Sequence, residues 1–155
     1  MPTTLFSYQK TSDAHTTYEL RMPDAQGDEG NIYCAELGTI DGLTYVSVPP
    51  GVTLPEQLPQ VAATLQTVTL TPELRAQLKA ISPHCALISE RMVQKIRARY
   101  SIDDEMFFAR IGVGAAAGMY QPTPDELAEM QAFGEFVEAV RQWGRAERAK
   151  LGLQI

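Results

Sequence analysis

The chain has 155 residues, of which 45% are hydrophobic, and a net charge of −6. This composition supports one ordinary core or two small ones. No apolar stretch approaches the roughly 20 residues that a membrane span requires, and residues 1–30 lack the basic start and apolar core of a signal peptide. We therefore expect a soluble, non-exported protein that makes no contact with a membrane.

The negative charge is confined to the first part of the chain. Residues 1–70 carry eight acidic groups against two basic ones, whereas residues 71–155 carry equal numbers of each. Nucleic-acid binding normally requires a basic face that displaces counterions from phosphates. The charge distribution therefore argues against a DNA or RNA partner and leaves a basic protein partner open.

Residues 1–48 show the patterns of a small β region. In Thr17–Met22 polar and apolar residues alternate, which predicts a strand with Tyr18, Leu20 and Met22 on one face. Weaker strand patterns occur at Thr4–Tyr8 and Ile32–Glu36, and a polar loop is predicted at residues 23–31.

The pair Asp41-Gly42 stands between the β-prone runs Gly38–Ile40 and Leu43–Val48. An Asp-Gly pair in this position is a strong signal for a type I′ hairpin, because both central residues of that turn need positive φ. We expect a small antiparallel sheet over residues 1–48.

Residues 49–70 are predicted to form an extended, proline-rich linker. Pro49, Pro50, Pro55 and Pro59 each restrict the backbone and lack an amide donor, so a helix or central strand cannot run through the segment. Such a linker serves either as an inert tether or as a segment that lies along a neighbouring subunit.

Residues 71–155 are predicted to form a helical domain of about four helices. Thr71, Ser82 and Thr123 each precede a proline, which is the arrangement of an N-capping hydroxyl followed by Pro at the first helical position. Ser101 is a fourth capping residue, followed by acids. The helices expected from these starts cover residues 72–80, 83–100, 102–111 and 124–150. The predicted fold class is thus α+β.

The last helix, residues 124–150, is amphipathic. Met130, Phe133, Val137 and Val140 recur at spacings of three and four, and its acids and bases are placed to suit the helix dipole. The apolar stripe packs either on its own domain or on a partner. Candidate partner contacts on this helix are Phe136, Val140 and Trp143.

The helix at residues 83–100 carries a basic patch, from which Arg91, Lys95 and Arg99 are the candidate partner contacts. A solvated helix face is the favoured interpretation, with contact to phosphate or to the acidic β region as alternatives. The patch lacks interleaved aromatic residues, so it does not indicate a nucleic-acid site.

The glycine-rich run Gly112–Gly118 superficially resembles a phosphate or dinucleotide loop. A phosphate loop needs a Lys followed by Ser or Thr, but Met119-Tyr120 follows here, and no strand ending in an acid comes after the run. We therefore interpret the run as a helix end with a flexible connection, and we expect no cofactor.

Other candidates for chemistry are similarly weak. His15 and His84 are the two histidines, which cannot form a His/Cys metal cluster with the isolated Cys34 and Cys85, so no metal site is expected. His84 and Cys85 are adjacent on a predicted helix and point about 100° apart. The acids at 103–105 are best explained as helix capping rather than as acid/base catalysts. These patterns predict a protein without enzymatic activity.

A family resemblance rests on five segments of the second half: Val68–Leu74, Ser82–His84, Ile96–Glu105, Phe136–Glu138 and Trp143–Glu147. With these segments, roughly residues 66–152 resemble small proteins encoded in the tail-gene regions of tailed phages and prophages. The resemblance implies a non-enzymatic tail component or tail assembly factor. Its partners would be other phage tail proteins or further copies of itself, and its location the host cytoplasm during assembly or the virion tail.

Two other function classes stay open at this stage. The net charge of residues 1–70 suggests a phage-encoded acidic inhibitor that imitates DNA and blocks a host defence protein, which would require acids at phosphate-like spacing. An enzyme that uses Cys85 or the glycine-rich run is the less favoured alternative.

Overall fold

The structure is a computed structural model that describes residues 3–23 and 34–154. The strands are β1 (Thr4–Tyr8), β2 (Thr11–Ser12), β3 (Thr17–Tyr18), β4 (Ala35–Ile40), β5 (Leu43–Val48) and β6 (Gln66–Val68). The helices are α1 (Pro59–Ala62), α2 (Pro72–Ile81), α3 (Pro83–Arg99), α4 (Ile102–Ala116) and α5 (Pro124–Lys150). An N-terminal antiparallel sheet followed by a helical region confirms the predicted α+β class. The polar loop predicted at residues 23–31 lies outside the described residues, apart from Pro23.

The predicted hairpin joins β4 and β5. Asp41 and Gly42 have φ angles of 50° and 79°, and Ile40 pairs with Leu43 across the two-residue turn. Positive φ at both central residues is the type I′ requirement. The Asp-Gly prediction is therefore confirmed, and the turn sets the register of the pair.

Four strands form one antiparallel sheet in the order β4-β5-β1-β6. Alternation along β1 and β5 sends side chains to both faces, and each face is covered. Core 1 contains Leu5, Ala35, Leu37, Tyr45, Leu78, Cys85 and Leu153. Core 2 contains Tyr8, Leu20, Val46, Val48 and Val61. Because both faces of β5 are covered, its five consecutive residues Thr44–Val48 are all buried.

The strand predicted over Thr17–Met22 is shorter in the structure. Only β3 pairs, with β2, in a separate two-stranded ribbon. The expected face is nevertheless used, since Leu20 is buried in core 2 and Tyr18 and Met22 pack against it. Residues beyond Tyr18 thus bury their apolar side chains without strand pairing.

Residues 49–70 are not the extended linker that was predicted. They contain the one-turn helix α1 and the edge strand β6, which pairs with β1. Val61 in α1 has no exposed surface and belongs to core 2. Proline opens α1 at its first position, where an amide is not needed, so the prolines punctuate the segment without leaving it extended.

All four predicted helix starts carry the expected caps. The Leu74 and Cys85 amides donate to the hydroxyls of Thr71 (3.2 Å) and Ser82 (3.3 Å), at the starts of α2 and α3. Ser101 forms a capping box at the start of α4, and Thr123 accepts from the Glu126 amide at 3.2 Å at the start of α5. These local hydrogen bonds satisfy amides that helix geometry leaves without partners.

Helix α4 is longer than predicted. Gly112 and Gly114 lie inside it, and it ends in a Schellman motif at Gly118, where φ is +71°. In that motif the amides of Gly118 and Met119 donate to the carbonyls of Ala115 (3.1 Å) and Gly114 (2.9 Å). The prediction that the helix stops near residue 111 was wrong, because the last glycine of the run, and not the first, has the left-handed conformation.

The structure divides into two compact units, which differ from the three segments expected from the sequence. Unit 1 comprises residues 1–87 and 146–155, and unit 2 comprises residues 88–145. Residues 71–87 join unit 1 because Leu78 of α2 and Cys85 of α3 are buried in core 1. The predicted boundary at residue 71 therefore does not coincide with a boundary between compact units.

The C-terminal residues of unit 1 are fixed by specific contacts. Gly152, with φ of +72°, ends α5 in a second Schellman motif, in which the Leu153 amide donates to the Arg148 carbonyl at 3.2 Å. Leu153 has no exposed surface, and its carbonyl accepts from Arg75 Nε at 2.6 Å. Residues 146–155 thus complete core 1.

Candidate functional site

Unit 2 is organised around a cluster of aromatic rings contributed by α4, α5 and the residue that follows α3. The ring of Tyr100 lies 6.2 Å from that of Phe108, 5.0 Å from Phe133 and 5.6 Å from Phe136, measured between centroids. Phe108 and Phe133 also stack at 5.1 Å. Edge and offset contacts of this kind add to the stabilisation from burial. The cluster fixes the inner faces of α4 and α5 against each other.

The candidate contacts named on α3 and α5 meet one another in this unit. Lys95 Nζ lies 4.7 Å from the centroid of the Trp143 ring. The Arg99 guanidinium carbon lies 4.8 Å from the Phe136 centroid and 5.4 Å from that of Tyr100. A cation within about 6 Å of a ring face is attracted by the ring quadrupole, by about 0.5–1 kcal/mol at an exposed site. The two basic residues therefore cover the aromatic edge of α5.

The remaining candidates differ in accessibility. Val140 is only 5% exposed, so it is not available to a partner in this structure. Arg91 is exposed, and the neighbouring Arg97 makes an ion pair with Glu105 of α4 at 2.6 Å. The apolar stripe of α5 is mostly buried or half-buried, although Leu127 at its start is 52% exposed.

A continuous apolar face that sequence reasoning missed lies on the outer side of α4. Ile102, Met106 and Val113 are 60%, 61% and 71% exposed, and the exposed Ala109 and Ala116 fall between and after them. A helix face of this kind is normally covered by protein. Within α4, Arg110 is the single charged residue after Glu105. This low density of charge is the feature of the sequence that could have indicated the exposed apolar face.

The glycines of α4 permit close packing on its other sides. A Cβ at Gly112 would lie 3.4 Å from Met130 Cε, and one at Gly114 would lie 3.0 Å from Tyr120 Cβ. Tyr120 therefore folds back onto α4, and its hydroxyl donates to Glu126, in the first turn of α5, at 2.9 Å. This hydrogen bond to Glu126 raises the pKa of the Tyr120 hydroxyl. The glycines thus serve helix packing in this structure.

A shallow cleft of about 270 Å³ lies beside this turn, lined by Phe107, Arg110, Ile111 and Tyr120. Phe107 and Tyr120 are 45% and 47% exposed, so the cleft is open and mainly apolar. Among the described residues that line it, Arg110 is the charged one. It extends the accessible apolar surface of unit 2 next to α4.

The residues considered for chemistry lie in ordinary structural positions. Cys85 is buried in core 1 while the adjacent His84 is exposed, and Cys34 is half-buried, which raises the pKa of its thiol. Asp104 belongs to the capping box of α4, where a hydrogen bond from the Ser101 amide lowers its pKa. Among residues 3–23 and 34–154, no three His, Cys, Asp or Glu side chains come together as a metal site.

Several acids of the first half are engaged locally. Lys10 pairs with Glu36 and, at 3.3 Å, with Glu19. Asp13 accepts hydrogen bonds from the His15 amide and, at 2.7 Å, from the Tyr18 hydroxyl, and these bonds lower its pKa. Acids held in this way stabilise unit 1 and are less suited to imitating a row of free phosphates.

No family model, curated protein or solved structure matches this chain. Within the described part of the chain, moreover, the helices are all too short or too polar to cross a bilayer.

Proposed function

We propose that this chain is a non-enzymatic tail-associated protein of a tailed phage, acting through protein–protein contacts as a virion component or an assembly factor. The proposal combines the resemblance of residues 66–152 with the exposed apolar face of α4. Its place of action is the host cytoplasm during assembly, with the finished tail as the second location for a virion component.

The face of α4 carries the proposal because an apolar helix face in water is unfavourable. Burying apolar surface contributes roughly 25 cal/mol per Å², so Ile102, Met106 and Val113 together provide a substantial driving force for association. After the acidic first turn, Arg110 is the single charged residue of α4, and a low density of charge suits the centre of a protein interface. The aromatic cluster beneath holds α4 in place, so the face is already formed before binding.

Affinity purification from cells in which the phage carrying this gene assembles tests the proposal. Recovery with tail proteins and presence in finished particles would identify a virion component, and recovery with tail proteins alone would identify an assembly factor. Recovery of no tail protein would overturn the proposal.

A pair of variants connects the result to α4. Val113→Glu places a charge in the exposed face and should abolish recovery of tail proteins. Ala132→Glu introduces the same side chain at an exposed position of α5 outside that face and should leave recovery unchanged. If the two variants recover tail proteins equally, the outer face of α4 does not make the contact.

A further inference from the structure

The exposed apolar residues of α4 follow the spacing of a two-helix seam. Ile102, Met106, Ala109, Val113 and Ala116 are separated by four, three, four and three residues. This alternation keeps one seam facing a partner helix along its whole length. The face is therefore suited to an α-helix of matching pattern rather than to an irregular segment.

We propose that the outer face of α4 binds α4 of a second copy of this chain, in an antiparallel arrangement about a two-fold axis. The proposal rests on the proposed function and deepens it by naming what the α4 face binds. The dimer is then the form that meets the tail proteins, and Val113→Glu abolishes their recovery by preventing dimerisation. A two-fold interface brings the same surface of both copies together, so α4 must be complementary to itself. Its apolar residues and its charges both meet this condition.

The apolar residues are complementary in size. An axis between Met106 and Ala109 places each Met106 opposite Ala109 of the other copy, and each Ile102 opposite Val113. Met106 opposite Ala109 sets a large residue against a small one, which allows the two helices to approach closely at the centre of the seam, and Ile102 and Val113 pack against each other towards its ends. Ala116 then lies at the end of the seam.

The charges are complementary in sign. Asp103 and Arg110 are seven residues apart, hence two helical turns apart on one flank of the seam, and both are exposed. Antiparallel pairing places each Asp103 near Arg110 of the other copy, and the symmetry gives this pair twice. Parallel pairing instead aligns the two acidic first turns, including Glu105, which is already paired with Arg97.

The expected association is weak and reversible. Helix α4 has 15 residues and is about 22 Å long, so a pair of such helices buries less than the roughly 800 Å² per partner of a standard interface. We expect dissociation at about micromolar concentration. The dimer should therefore appear in sedimentation velocity runs as a concentration-dependent species.

Charge exchange tests both the partner and the orientation. Asp103→Arg alone, or Arg110→Asp alone, places like charges opposite each other twice and should weaken the homodimer by about tenfold. Mixing these two variants brings opposite charges together again, so the mixture should form a heterodimer more tightly than either forms a homodimer. The double variant D103R/R110D should recover the wild-type affinity. Thermal melting of each variant establishes that it folds.

Two further variants test the apolar seam. Met106→Glu should leave the chain monomeric, whereas Ala132→Glu should dimerise as the wild type does. A wild-type chain that stays monomeric at every concentration would overturn the inference, and so would a dimer that Met106→Glu leaves intact or a mixture that associates no better than the single variants.

The outcomes separate this inference from the proposed function, because sedimentation uses the purified chain alone. A monomeric chain that is still recovered with tail proteins would leave the function standing and assign the α4 face to another protein. A dimer that recovers no tail protein would support the inference and overturn the function.

Discussion

At Gly144, α5 lies close to Met92 of α3, and the substitution Gly144→Ala tests how closely the two helices pack there. A Cβ there would lie 2.4 Å from Met92 Sδ and 3.1 Å from Met92 Cε. Ordinary contacts between such atoms are about 3.5–4.0 Å, so Met92 must rotate or the helices must separate, at a cost of about 1–3 kcal/mol. The gain in helix propensity from Gly to Ala offsets about 1 kcal/mol. We expect a net loss of about 0–2 kcal/mol in the free energy of unfolding.

Gly134, on the same helix, is the matched control. No atom lies within 4 Å of a Cβ built there, so Gly134→Ala should stabilise by about 1 kcal/mol. Urea denaturation followed by helical circular dichroism should therefore separate the two variants by about 1–3 kcal/mol. Removing the obstructing side chain with Met92→Ala should turn Gly144→Ala into a stabilising change. Equal stabilisation by alanine at both glycines in the wild-type background would refute the close approach.

Three further predictions concern α4 and its neighbours. Hydrogen bonding lowers the pKa of Asp104 below 3.8, so its stabilisation is complete above that pH and is lost as pH falls through the lowered pKa. The difference in melting temperature between wild type and Asp104→Asn should accordingly shrink as the pH falls below 3.8, and a constant difference would contradict the capping assignment. Gly118→Ala should destabilise by about 1 kcal/mol in urea titrations through left-handed strain alone, because its Cβ would meet open space, and Gly118→Asn should lose less. Arg99→Gln should cost about 0.5–1 kcal/mol of unfolding free energy by removing the cation above Phe136, and a similar loss from Arg91→Gln would show that the ring contact is not the cause.

The features that could be predicted from the sequence are those decided by neighbours in the chain. The turn at Asp41-Gly42 needs two residues that tolerate positive φ, and the caps at Thr71 and Ser101 need only a hydroxyl before a helix. Each depends on four or five consecutive residues, and the structure contains all of them. Local hydrogen bonding was sufficient to place these elements within a few residues.

The features that could not be predicted depend on contacts distant in sequence. Val61 and Leu78 look like residues of a linker and a surface helix, and only the sheet that they cover explains their burial. The glycines at 112 and 114 were interpreted as a helix end because glycine weakens an isolated helix. In the structure Met130 and Tyr120 lie against them, so tertiary packing outweighs that propensity.

The candidate partner contacts on α3 and α5 show the same difference between local patterns and distant contacts. Lys95, Arg99, Phe136 and Trp143 could be chosen individually, but their pairing joins two helices and was not visible in either one. The outer face of α4 was missed for a related reason. A helix that ends near residue 111 excludes Val113 and Ala116, and without them the four-three spacing of the apolar residues is not visible.

The division of unit 1 between residues 1–87 and 146–155 has a consequence for the order of events at the ribosome. At about 5–20 residues per second, roughly 3–12 s separate the synthesis of these two segments. During that interval the nascent sheet lacks Leu153, so one face presents uncovered apolar side chains. Core 1 is therefore completed only after the whole of unit 2, residues 88–145, has been synthesised.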